Sequence, residues 1–116
     1  MFSINGTTIK LTRGDSLVAE LALKWQDGTD YEPSAGDSVV FAVKSRLNGA
    51  RTEYVESSPI ISTEIPTSDM TLRLAPDNTA GLAFGAYAYD VEVTLADGRV
   101  DTVINNAQFI LLPEVV

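Results

Sequence analysis

Among the side chains that carry most protein chemistry, this sequence offers one kind in quantity: sixteen Asp and Glu against eight Lys and Arg, with neither His nor Cys. Without imidazole or thiol the chain lacks the commonest general base, the commonest transition-metal ligands, thiolate nucleophiles and disulfides. Carboxylates alone leave two kinds of chemistry. Glycoside hydrolysis needs two of them flanking the scissile bond, one with a raised pKa, and calcium binding needs several oxygens converging on one point. No spacing singles out a hydrolytic pair. The loop carboxylates Asp27, Asp30, Asp37, Asp77 and Asp97 lack EF-hand spacing, and Asp27-Gly28 and Asp97-Gly98 are already explained as turn formers. The residues therefore predict a protein that is not an enzyme, with no catalytic residue, cofactor or metal.

Two further constellations invite a binding reading. Arg13-Gly14-Asp15 matches an integrin-adhesion tripeptide, although a turn between two strands accounts for the same residues. Trp25, Tyr31, Tyr54, Tyr87 and Tyr89 would stack on sugars if exposed together. Most fall on expected inward faces, which leaves Trp25 and Tyr31, beside a loop, as the candidate ligand-stacking residues of a carbohydrate-binding or adhesion module. The net charge of −8 and pI near 4.2 oppose nucleic acid and anionic membranes, whose affinity for proteins comes largely from Lys and Arg. No apolar run approaches the roughly 20 residues of a membrane helix, and Met1-Phe2-Ser3-Ile4-Asn5-Gly6 lacks the basic start and apolar core of a signal peptide.

The elements that would position these groups read as strands. At 116 residues, 45% of them hydrophobic, the chain suits a single domain over 1–116 around one core. Strand signals recur about every ten residues between turn signals, which predicts an all-β antiparallel sandwich of about seven to nine strands. Leu17, Ala19, Leu21, Leu23 and Trp25 alternate with mixed residues, as do Val39, Phe41 and Val43 after Gly36-Asp37; Met70, Leu72 and Leu74 point inward. Asp97-Gly98 suits a two-residue type I′ hairpin. Counting outward pairs Leu95 with Val100, Val93 with Thr102 and Val91 with Ile104 on the core side, and Ala96 with Arg99, Thr94 with Asp101 and Glu92 with Val103 on the other. Asn48-Gly49 predicts a second hairpin with Val43 opposite Tyr54 and Lys44 opposite Glu53, and Asn5-Gly6 a small N-terminal one. Ile60 to Ile65, bracketed by Pro59 and Pro66, belongs at an edge. The run from Asp77 to Leu82 carries a helix-capping residue and reads as a single turn crossing between sheets. Gly85-Ala86-Tyr87-Ala88-Tyr89 has the spacing of a tyrosine corner at the start of the penultimate strand of immunoglobulin-like sandwiches, with Tyr89 in the place of the usual cysteine.

Three blocks taken together carry a resemblance: Leu11-Thr12-Arg13-Gly14-Asp15-Ser16; Gly36-Asp37-Ser38-Val39-Val40-Phe41-Ala42-Val43-Lys44; and Gly85-x-Tyr-x-Tyr-Asp-Val-Glu-Val with Asp97-Gly98-Arg99-Val100-Asp101-Thr102. The chain resembles small phage and prophage tail proteins, nearest the immunoglobulin-like N-terminal domain of phage baseplate upper proteins. That resemblance implies an immunoglobulin-like β-sandwich and a virion structural or adaptor module. Its partners would be other tail proteins or copies of itself in a homo-oligomer, and its location the virion, or the bacterial cytoplasm before assembly. It supplies no catalytic residues. The edge piece from Ser58 to Pro66 and the C-terminal strand from Gln108 to Val116 are the expected contact elements, with Ile60, Ile61, Ile65, Val103, Phe109 and Leu111 as candidate interface residues.

Overall fold

A computed structural model describes residues 2–5, 8–24, 29–45 and 59–113, the side chains at 2–5 and 102–106 excepted. Eight strands and one helical turn are found among them, in the order β1 (Phe2–Asn5), β2 (Thr8–Thr12), β3 (Leu17–Glu20), β4 (Ser38–Lys44), β5 (Ile61–Ile65), β6 (Thr71–Leu74), α1 (Pro76–Thr79), β7 (Gly85–Thr94) and β8 (Val100–Leu112). The protein is all-β. One sheet has six strands in the order β1-β2-β8-β7-β4-β5, and the other pairs β3 with β6.

The alternation in sequence sets which face each strand buries. Val39, Phe41 and Val43 on β4 are fully buried, as are Val91 and Val93 on β7 and Ile65 on β5. Leu17 on β3 and Leu72 on β6 close over them from the second sheet, so one core cluster draws on both sheets. Phe41 lies at its centre, its ring centroid 5.3 Å from that of Tyr89 and 6.3 Å from that of Phe109, within the range where tilted aromatic pairs attract.

The pairing departs from expectation in three places. The β7–β8 hairpin turns through three residues rather than two: the Leu95 amide donates to the Arg99 carbonyl at 2.7 Å and the Gly98 amide to the Leu95 carbonyl at 2.8 Å. Gly98 alone in this loop has positive φ, at 94°, so Asp-Gly serves a type I turn closed by a glycine bulge and not a type I′ turn. The register next to the turn is consequently one residue off: Thr94 faces Val100, Val93 faces Asp101 and Glu92 faces Thr102. Val100 is 59% exposed rather than inward. An irregularity between Val91 and Glu92 absorbs the slip, and Val91 faces Ile104 as anticipated.

On β4, Val43 is flanked by Ile61 and Tyr89, so the place foreseen for Tyr54 is taken by β5; Tyr54 and Asn48-Gly49 themselves lie outside the described residues. The third departure concerns the C-terminal strand, which is no edge. β8 runs between β7 and β2, parallel to β2 with Ile9 beside Phe109 and Leu11 beside Leu111. Other expectations hold. Among the described residues β5 ends its sheet, β1 and β2 form an N-terminal hairpin, although Asn5 is paired with Thr8 in the ladder and does not belong to the turn, and α1 crosses from β6 in one sheet to β7 in the other. That turn starts earlier than expected, at Pro76, and its N-cap is Ala75 and not a capping side chain within Asp77–Leu82; the Asn78 side-chain oxygen accepts the Ala75 amide at 2.7 Å. No helix among the described residues is long and apolar enough to cross a membrane.

Candidate interaction surfaces

Among the described residues a polar cluster gathers around Asp37, where the chain turns into β4. Gly36 has φ of +91°, and the Asp37 amide donates to the Ser34 carbonyl at 3.1 Å to close a tight turn. The carboxylate then reaches three ways. One oxygen accepts the Tyr31 hydroxyl at 2.8 Å and the Ser34 amide at 3.0 Å; the other accepts the Ala96 amide, in the β7–β8 hairpin, at 3.0 Å. These donors, the Ser34 amide first, hold the Asp37 pKa below the usual carboxylate value. Burial, reinforced by the bond to Asp37, pushes the Tyr31 phenol up to about 12.

This geometry corrects the stacking expectation. The Tyr31 ring is 7% exposed and joins the core, its amide donating to the Leu23 carbonyl at 2.9 Å. Sequence placed it beside a loop without revealing that its hydroxyl finds an acceptor six residues on. Trp25 lies outside the described residues.

A second cluster pins the crossing between the sheets. The Arg13 guanidinium donates to the Leu82 carbonyl at 3.1 Å and lies 4.2 Å from the centroid of the Phe84 ring, a cation–π distance. The Gly14 amide donates to the hydroxyl of the fully buried Thr79 at 3.0 Å. Arg13-Gly14-Asp15 is thus a turn whose side chain and backbone hold the α1–β7 connection, and its guanidinium does not stand out as an adhesion ligand. Two residues into β7 the corner spacing yields the expected bond: the Tyr87 hydroxyl donates to the Ala83 carbonyl at 2.6 Å.

The remaining described carboxylates do not converge. Asp69 pairs with Arg73 at 3.0 Å and accepts the Thr71 amide at 3.1 Å, and Arg73 is the first cause holding its pKa down. Asp97 accepts the Arg99 amide at 2.9 Å, and Asp30 pairs with Lys24. Among the described residues no group of three or more acidic side chains is placed to hold a metal ion.

Of the candidate interface residues, Ile61 (5% exposed), Ile65, Phe109 and Leu111 belong to the core. Strand alternation turns them inward, and the parallel neighbour β2 covers the strand that carries Phe109 and Leu111. Ile60 is 41% exposed beside β5, and the side chain of Val103 lies outside the described residues. The outer face of β4, β5 and β7 carries their half-buried and exposed side chains. There Val40, Ala42, Ser62, Glu92 and the Lys44–Asp90 pair, 3.3 Å apart, border a shallow groove of about 220 Å³ with Pro59. No family model matches the chain, and neither a curated protein nor a solved structure matches it.

Proposed function

We propose that this chain is a non-catalytic structural or adaptor module of a phage or prophage tail or baseplate that works by protein–protein assembly. The carrying observation is the sheet that, among the described residues, ends on β5, a strand with its apolar side chains turned into the core and Ser62 and Glu64 turned out. A strand at the end of a sheet can serve as a template for pairing with another chain. The strand arrangement supports the immunoglobulin-like reading: β3 and β6 share one sheet, β4, β7 and β8 share the other, and a tyrosine corner sits where the chain crosses between them. The side chains of Asp37, Arg13 and Tyr87 fasten loops to the scaffold, a use that suits a rigid building block.

Light scattering of the purified chain from micromolar to millimolar concentration tests the assembly reading. Mass rising with concentration is expected, and a monomer throughout contradicts it. Immunogold labelling of particles from a producing strain tests the tail assignment: gold on the tail or baseplate is expected, and label confined to free protein contradicts it.

A further inference from the structure

β5 is five residues long, Ile61-Ser62-Thr63-Glu64-Ile65, and Pro59 and Pro66 flank it. Proline donates no backbone hydrogen bond, so any strand added to this edge is confined to that short window. Within it the order of side chains is complementary to its own reverse. We propose that β5 pairs antiparallel with β5 of a second copy, with Thr63 on the two-fold axis, Ile61 opposite Ile65 and Ser62 opposite Glu64.

Three arguments select this register. Ile61 and Ile65 point inward and Ser62 and Glu64 outward; keeping the core faces of both copies on one side requires odd-numbered residues to face odd-numbered ones. A two-fold centred on Glu64 sets two carboxylates directly opposite each other, which is unfavourable. One centred on Ser62 sets Ile65 against Pro59. Only the pairing centred on Thr63 uses all five residues, opposes no like charges and leaves both prolines outside, and a two-fold contact of this kind is closed and self-limiting.

The inference rests on the assembly reading and names its partner as a second copy. The window is shorter than a standard interface, which buries about 800 Å² per partner, so the dimer is weak. Each copy carries a net charge of −8, so added salt strengthens association by screening the repulsion.

A charge cycle read by sedimentation equilibrium tests the register. Ser62 and Glu64 are both exposed, so changes there leave the fold intact, checked by circular dichroism. Ser62→Glu sets two carboxylate pairs opposite each other by symmetry and is expected to weaken the dimer about fivefold. Adding Glu64→Lys to it restores association. Ser16→Glu, which adds the same charge at an exposed position away from β5, leaves association nearly unchanged. If the wild type associates but Ser62→Glu weakens it no more than Ser16→Glu does, or Glu64→Lys fails to restore it, the β5 pairing is wrong while the assembly reading stands. A wild-type monomer at all concentrations overturns both.

Discussion

Replacing Gly36 by Ala probes whether the turn before β4 and the β7–β8 hairpin lock together. The glycine has φ of +91°, and an added Cβ would lie 2.9 Å from the Ala96 Cβ, well inside van der Waals contact. A left-handed backbone at a non-glycine residue costs about 1–2 kcal/mol, and crowding in a packed site about 1–3 kcal/mol. Reduced freedom of the unfolded chain returns about 0.4–1 kcal/mol. The expected net loss is about 3 kcal/mol, or about 12 °C in Tm for a domain of this size. Relief of the clash by moving the hairpin would stretch the 3.0 Å bond from the Ala96 amide to Asp37, so it offers no cheap escape. Urea and thermal unfolding followed by circular dichroism measure the loss. The double variant Gly36→Ala/Ala96→Gly removes the crowding and keeps the backbone strain, so the two changes should couple by about 1 kcal/mol. A Gly36→Ala protein as stable as wild type, or strictly additive single and double variants, would refute the packing of these two turns.

Other consequences are testable in the same assays. Tyr87→Phe removes the corner bond to Ala83 and should cost about 1 kcal/mol without altering the spectrum; no loss in urea midpoint would contradict the corner. Phe41→Ala empties the centre of the core and should cost about 3–5 kcal/mol, enough to unfold much of the protein near physiological temperature. The Tyr31 phenol, with its pKa raised in the folded state to about 12, contributes stability that is complete below about pH 10, its unfolded value, and lost as pH rises towards 12. Phenolate absorbance and unfolding should therefore appear together in alkali, and Tyr31→Phe should flatten that dependence. For Asp37 the sign is opposite. Its folded pKa is depressed, so its contribution is present above about pH 4 and lost as pH falls through the folded value. Asp37→Asn should shallow the acid limb of a stability-versus-pH curve; an unchanged acid limb would show that the carboxylate does not fasten the loops.

Local periodicity made much of this fold legible. Val39, Phe41 and Val43, Leu72 and Leu74, and Val91 and Val93 all turn inward as their alternation predicts, because a strand with one buried face allows no other phase. Pro59 and Pro66 marked β5 as the edge it forms among the described residues, and the Tyr87 spacing pointed to its bond with Ala83. What failed was information that single residues do not carry. Asp97-Gly98 suits either a two-residue or a three-residue loop, and the choice shifts register by one without changing the residues. The parallel contact of β2 with β8 joins residues a hundred positions apart in the sequence, so no local pattern announces it. Asp37 was recognisable as a turn former. Its bond to Ala96, 59 positions away, depends on the hairpin register that the sequence left ambiguous.

Residue-resolved hydrogen exchange at low and high protein concentration tests the central claim, assembly through the β5 edge, most directly. Amides within Ile61–Ile65 that gain protection as concentration rises, while those of β3 and β6 stay constant, are the predicted result. Protection in Ile61–Ile65 that is the same at both concentrations, or that changes elsewhere instead, would contradict it.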